Sequence, residues 1–289
     1  MTVGARVAIV GTGRVARAFG RLLADSGDPP VAVAGRSIDH AAQAASFVGP
    51  SVKAVVIRDL APLADRILIA VSDDAIPTVA RELAESGLRG GVVLHTSGAH
   101  GPRLLDALSG QGVSCGVLHP LQTIADGERG PAALRGSSFG IGGDRAAVEW
   151  AEHLVSLAGG TALRIRDNGF ASYHAGAVMA SNAVIAAIDA AVVLLGASGV
   201  DRPAALKALR PLCLTSARNT FDLGPEAALT GPVQRGDAET IRTHAAALAG
   251  APQAVADLYR ASARVLLDIA TRRGLSADAA RSVEIALEG

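Results

Sequence analysis

Gly11-Thr12-Gly13-Arg14-Val15-Ala16 follows the apolar run Val7-Ala8-Ile9-Val10 and opens an amphipathic segment. A G-x-G-x-x-A pattern between a strand and a helix is suited to take a pyrophosphate. Gly11 permits the tight turn, Gly13 leaves the backbone open to phosphate, and Ala16 lets helix and strand pack closely. The helix N-terminus adds free N–H groups and a partial positive charge. A tight turn without a ligand is the alternative. The second strand candidate selects the dinucleotide. An NAD site carries Asp or Glu at its C-terminal end, where the ribose hydroxyls bind. Here that end reads Ala34-Gly35-Arg36-Ser37. Arg36 can pair with a 2′-phosphate and stack on adenine, and Ser37 can add a hydrogen bond. The expectation is NADP(H), held by Gly11, Thr12, Gly13, Arg14, Val15, Arg36 and Ser37.

Ligands of doubly wound sheets bind beyond the C-terminal ends of the strands. One candidate strand ends in Ala70-Val71-Ser72-Asp73-Asp74, where a nicotinamide ribose would lie. The next ends in His95-Thr96-Ser97-Gly98, and the one after in His119-Pro120-Leu121-Gln122-Thr123. Val71, Ser72, His95 and Thr96 are expected on the coenzyme, and Ser97, Gly98 and Gln122 on a substrate. Two histidines, a Ser/Thr pair and a glutamine at one rim suit proton transfer and orientation. Taken singly, each could be a cap or a loop residue. Farther on, Tyr173, His174, Ser181 and Asn182 interrupt an apolar helical segment. His174, Val178, Ser181 and Asn182 fall at i, i+4, i+7 and i+8, so they share one face. A polar stripe on a buried helix needs partners or a ligand. The segment Leu229-Thr230-Gly231-Pro232-Val233-Gln234-Arg235-Gly236-Asp237 links two helices. Its Arg235 could hold a carboxylate, or pair with Asp237.

These residues need a scaffold, and the pattern supplies one. Strand candidates at Arg6–Val10, Val31–Ala34, Arg66–Val71, Gly91–His95, Val113–Leu118 and Ser138–Ile141 alternate with amphipathic stretches. Their Val- and Ile-rich runs lack clean alternation, as strands covered on both faces do. From Asp167 onward nearly everything reads as helix. One helix is expected over Gly169 to Gly196. Others follow Asp201, Asp237, Pro252 and Ser276. The fold class is therefore α/β: a doubly wound, mostly parallel Rossmann sheet over residues 1–166, then an all-helical domain over 167–289.

Composition narrows the function. The 289 residues carry 27 Lys+Arg and 27 Asp+Glu, which argues against a general nucleic-acid binder. Cys115 and Cys213 make neither a disulfide framework nor a zinc motif, so a reducing compartment and no metal are expected. The N-terminus lacks the pattern of a secretory signal, and the expected location is the cytoplasm. Ala175 to Gly196 could pass for a membrane span, but Ser181, Asn182 and Asp189 favour a buried helix or a homodimer interface. Lys53 and Lys207 are the lysines of the chain, so any lysine-dependent chemistry must use one of them.

The plan resembles the 6-phosphogluconate-dehydrogenase-like superfamily. More closely, His95-Thr96-Ser97-Gly98, His119-Pro120-Leu121-Gln122-Thr123, Tyr173-His174 to Ser181-Asn182, and the Leu229 to Asp237 segment resemble an oxidoreductase family. That family pairs a Rossmann-like half with a C-terminal domain formerly of unknown function. Some members resemble a non-classical ketopantoate reductase. The resemblance implies NADPH-linked reduction of a small 2-oxo acid. Reduction of a C=N bond, as in pyrroline-carboxylate reductases, and a catalytically silent NADP(H)-binding regulatory protein are the alternatives. The superfamily commonly carries Lys-x-x-x-Asn on the long helix. Asn182 fills the asparagine position, but Val178 stands in the lysine slot. His174, one turn earlier on the same face, then becomes the expected acid, because histidine titrates near neutrality. His119 is second and His95 third. Asn182, Ser181 and Ser97 would orient the substrate, and Arg235 or the N–H groups near Gly98 would take its carboxylate.

Overall fold

The computed structural model describes residues 5–125 and 129–288. The first residues of the N-terminal reading therefore lie outside the described residues. The chain forms two compact units, Met1–Met179 and Ala180–Gly289.

The first unit is built on β1 (Val7–Val10), β2 (Ala32–Ala34), β3 (Lys53–Val55), β4 (Arg66–Ile69), β5 (Val92–His95), β6 (Ser114–Pro120), β7 (Ser138–Gly143) and β8 (Thr161–Arg164). Among the described residues these form one sheet in the order β3-β2-β1-β4-β5-β6-β7-β8. The β6–β7 pairing is antiparallel, with His119 opposite Gly140. The other neighbouring pairs are parallel. Its helices are α1 (Arg14–Asp25), α2 (Ile38–Val48), α3 (Ile76–Glu85), α4 (Gly130–Leu134) and α5 (Arg145–Leu157). The central strands are buried on both faces. Val7, Ile9 and Leu68 join Phe19, Leu22, Phe139 and Trp150 on one side. Ala8, Val10, Ile67 and Ile69 join Leu83 and Leu105 on the other. A period of two, apolar at every position, is why these runs show no alternation.

Two strands escape the sequence pattern. β3 and β8 are short edge strands, partly exposed at β3 and largely exposed at β8, and they contain Lys53 and Arg164. Charged, brief edges discourage further pairing, and they leave little hydrophobic signal.

The long helix α6 runs over Phe170–Ala197, and the division between the units falls inside it. Its first turns belong to the first unit because β7 leaves room for them. A Cβ on Gly142 would stand 3.0 Å from Phe170 Cζ, and one on Gly140 would stand 2.6 Å from Tyr173 Cζ. Gly140 and Gly142 share a strand face, and Phe170 and Tyr173 share a helix face. The helix lies in a trough cut by two absent side chains.

The second unit continues with α7 (Arg202–Leu223), α8 (Pro225–Ala228), α9 (Pro232–Arg235), α10 (Ala238–Leu248), α11 (Gln253–Arg272) and α12 (Ala277–Glu288). Asp201 caps α7 by accepting from Ala204 N–H at 2.9 Å, and Asp237 caps α10 through Thr240 N–H at 3.1 Å. A core of Val233, Ile241, Ala263, Leu267, Val283 and Leu287 holds the later helices together.

Of the two expectations for α6, a buried core helix or a homodimer interface, the first is corrected. The helix is long and apolar enough to cross a membrane, and only 6% of its most apolar window is buried. Met179 and Ile185 on α6, and Leu212 and Phe221 on α7, are exposed. A core helix would have these side chains covered by the chain's own elements; here they are not.

Candidate active site

β1 and β4 lie side by side at the centre, and β2 and β5 continue outward in opposite directions. This is the switch point at which a doubly wound sheet opens a crevice. A cleft of about 580 Å³ opens there. Gly11, Thr12, Gly13, Arg14, Val15, Arg36, Val71, Ser72 and Thr96 all line it, with Ile57 and Ile124 beside them. Gly11 has φ +128°, and a Cβ there would stand 2.2 Å from Ala70 O. No other residue type fits that turn. A Cβ on Gly13 would meet nothing within 4 Å, so that backbone faces open space. No side chain caps α1, and its first turn holds no acid, leaving its N–H groups for an anion. Arg36 is exposed and has no hydrogen bond or ion pair among the described residues. Arg14 reaches across to donate to Ala125 O at 2.7 Å, so its guanidinium braces a neighbouring segment.

Two residues expected on the coenzyme have other placements. Ser37 caps α2, its hydroxyl accepting from His40 N–H at 3.4 Å, and it does not line the cleft. His95 is fully buried. Its Nδ1 accepts from Ser97 N–H at 3.2 Å, and its Nε2 donates to Gly101 O at 3.0 Å. Both ring nitrogens are spent on shaping the loop after β5. Burial pushes its pKa down to about 4 against the opposing pull of the Gly101 carbonyl, which keeps the ring neutral. A buried ring with both nitrogens committed is unsuited to touch a coenzyme or to donate a proton.

Past Thr96 the rim carries two clusters. In one, Ser97 Oγ donates to Asp73 Oδ2 at 2.8 Å and lies 3.1 Å from His100 Nδ1. His100 Nδ1 is in turn 3.5 Å from Asp73 Oδ2. The serine hydroxyl thereby joins the loops after β4 and β5. In the other cluster, Gly98 lies against two imidazoles. A Cβ on Gly98 would stand 2.6 Å from both His119 Nε2 and His174 Nδ1. The two rings meet edge to face with centroids 5.6 Å apart. His119 Nδ1 is 3.0 Å from the Tyr173 hydroxyl. His174 Nδ1 is a buried atom with no partner among the described residues. Burial, then the neighbouring His174, pushes the His119 pKa down to about 4, while Asp73 pulls the other way. Burial raises the Tyr173 pKa, and the Gly140 backbone opposes this.

Of the remaining expected residues, Gln122 belongs to the first unit and Ser181, Asn182 and Arg235 to the second. Gln122 is exposed and locally engaged: its Nε2 donates to Ser137 Oγ at 3.3 Å and its Oε1 accepts from Thr123 N–H at 2.8 Å. Ser181 Oγ donates to Asn182 Oδ1 at 3.0 Å within the second unit, where Asn182 is exposed. Arg235 lies 3.8 Å from Asp237 Oδ2, the ion pair that was its alternative. Sequence reasoning left Tyr173, Asp73 and His100 out of the site. The adjacency Tyr173-His174 and the spacing from Ser97 to His100 were the signals available.

Sheet order, switch-point cleft and glycine turn define a Rossmann-like protein. Residues 2–120 match the Rossmann-like domain family, and residues 137–265 match a domain of unknown function, DUF2520. The chain thus joins a segment that matches the Rossmann-like domain family to one that matches DUF2520. No curated protein matches it. Among solved structures, protein TM1727 from Thermotoga maritima is 24% identical, with 92% of this chain and 98% of that one covered at a TM-score of 0.73. A reductive aminase from Aspergillus terreus, solved with NADPH and ethyl levulinate, is 19% identical over 98% and 99% of the two chains at 0.64. A pyrroline-5-carboxylate reductase from Coxiella burnetii is 17% identical over 98% of each chain at 0.58. These likenesses are likenesses of fold.

Proposed function

We propose that this chain is an NADP(H)-dependent reductase of a small carbonyl compound. The convergence of His119 and His174 beside Gly98, just past the cleft-lining Thr96, carries this reading. The cleft suits the coenzyme. Gly11–Val15 and the open α1 N-terminus would take the pyrophosphate, and the unpartnered Arg36 would take a 2′-phosphate. When bound, NADPH supplies the hydride.

The chain supplies orientation and the proton. A carbonyl oxygen has two lone pairs, which suits two imidazole nitrogens converging from different sides. The low pKa of His119 keeps it neutral, a poor source of a proton near pH 7. His174 Nδ1, buried and without a partner among the described residues, is the ring atom whose hydrogen-bonding capacity is unspent. It would protonate the nascent alkoxide to give the alcohol. His174→Ala should therefore lose turnover by about 100-fold or more while keeping NADPH affinity. Full turnover in that variant would move the proton to His119.

The 2-oxo acid class, ketopantoate included, rests on the resemblance of the sequence. The Asp73 carboxylate favours a second reading. It stands at the rim, repels a substrate carboxylate and would suit the cationic iminium of a C=N reduction. The reductive aminase and pyrroline-5-carboxylate reductase with this fold agree with that reading. Assay of NADPH oxidation against ketopantoate, other 2-oxo acids and cyclic imines decides between them. Tight NADPH binding with no turnover on any of these would leave a regulatory NADP(H)-binding protein. A second copy of the chain would cover the exposed apolar residues of α6 and α7, giving a homodimer. A monomer by light scattering would refute that.

A further inference from the structure

The phenol of Tyr173 stands 3.0 Å from His119 Nδ1, edge to face with that ring at 5.5 Å between centroids. Which group donates decides what His119 can do. A half-buried phenol O–H needs an acceptor, and His119 Nδ1 is the acceptor it meets among the described residues. A phenol is the stronger donor of the pair, and an unprotonated imidazole nitrogen is the stronger acceptor. The hydroxyl hydrogen therefore points at Nδ1. A neutral imidazole carries one N–H, so with Nδ1 accepting, the hydrogen is on Nε2. That nitrogen is the one 2.6 Å from where a Cβ on Gly98 would stand.

We propose that Tyr173 is a positioning residue that fixes His119 as the Nε2–H tautomer, so that His119 donates a hydrogen bond to the reacting atom and leaves proton transfer to His174. The assignment of a reacting atom rests on the reductase reading; the tautomer does not. The arrangement gives a division of labour. One imidazole is a fixed donor aimed at a lone pair, and the other keeps an unspent Nδ1. A carbonyl oxygen has lone pairs for both. A protonated iminium nitrogen has none for His119.

The experiment is a long-range ¹H–¹⁵N correlation spectrum of the full chain labelled at histidine, at pH 7. His119→Gln identifies the His119 signals by their loss. The wild-type chain is expected to show His119 with Nδ1 unprotonated and Nε2 protonated. Tyr173→Phe keeps a ring over Gly140 and removes only the hydroxyl. It should move the His119 signals toward a mixture of both tautomers and lower kcat about tenfold or more, with KM changed less than twofold. A wild-type His119 protonated at Nδ1 overturns the proposal without any variant. So does a Tyr173→Phe spectrum in which the His119 tautomer is unchanged. If the tautomer shifts as expected but the wild-type chain reduces nothing, the positioning stands and the reductase reading falls.

Discussion

Gly98→Ala adds one methyl at the point where the two imidazoles meet. Gly98 does not have a positive φ, so alanine fits its backbone and any effect comes from the methyl. That methyl would stand 2.6 Å from His119 Nε2, 2.6 Å from His174 Nδ1 and 2.7 Å from His119 Cδ2. Ordinary contact begins at 3.4 Å, so each ring must retreat by roughly 0.8 Å. His119 is tethered to Tyr173, and His174 is fixed on a helix seated against β7. Overpacking of this kind costs about 1–3 kcal/mol, a fall of a few degrees in Tm for a protein of this size. Catalysis should suffer more. A displacement approaching 1 Å costs on the order of 100-fold in rate. Gly98 does not line the dinucleotide cleft, so NADPH affinity should stay within about twofold. The assays are thermal unfolding, NADPH titration by fluorescence, and steady-state NADPH oxidation on whichever substrate the panel identifies. Wild-type kcat/KM in a folded Gly98→Ala protein would refute the placement of the reacting group between the two rings.

Three further outcomes follow from the structure. Gly11→Ala, at φ +128° and 2.2 Å from Ala70 O, should cost at least about 2 kcal/mol and abolish NADPH binding, as read by chemical denaturation and titration. Arg36→Asp should reverse coenzyme preference, with NADPH affinity falling by about tenfold or more and NADH affinity holding or rising; unchanged preference in competitive titration counts against the 2′-phosphate assignment. His95 and His119 both titrate near 4 in the fold, below the unfolded value near 6.5, so the unfolded chain takes up their protons first as pH falls. Stability conferred by the neutral rings is complete above pH 6.5 and declines toward pH 4, by roughly 3 kcal/mol for the fully buried His95. His95→Gln should flatten that part of the pH profile in urea melts, and an unaltered slope would contradict it.

The sheet and the coenzyme cleft were legible because their signals are local. Strands buried on both faces, a glycine turn and an arginine at the end of β2 each declare themselves within a few residues. β3 and β8 were not legible, since strands of three and four residues are too short for a period to show. The strand ends did deliver Ser97, Gly98 and His119 to one rim, as an all-parallel centre requires. What stayed hidden was the division of labour among them. His95 and His119 look alike as strand-end histidines, yet one has both nitrogens bonded to its own loop and the other has Nδ1 on the Tyr173 hydroxyl and Nε2 against Gly98. Ser37 and Gln122 were plausible ligands by type, and local hydrogen bonds engaged both. The apolar stretch of α6 suggested burial, but no pattern within one chain tells whether a neighbour or the chain itself covers it.

The trough on β7 gives two glycines a hold on the geometry of the rim. Any side chain introduced at 140 or 142 would act as a shim beneath Phe170 and Tyr173, raising the start of the long helix from its bed. His174 rides on that same turn, so thickness added on β7 would set its reach toward the rim. Screens for altered activity should therefore include these two positions, where a methyl group would shift the proton donor of the proposed reaction without replacing it.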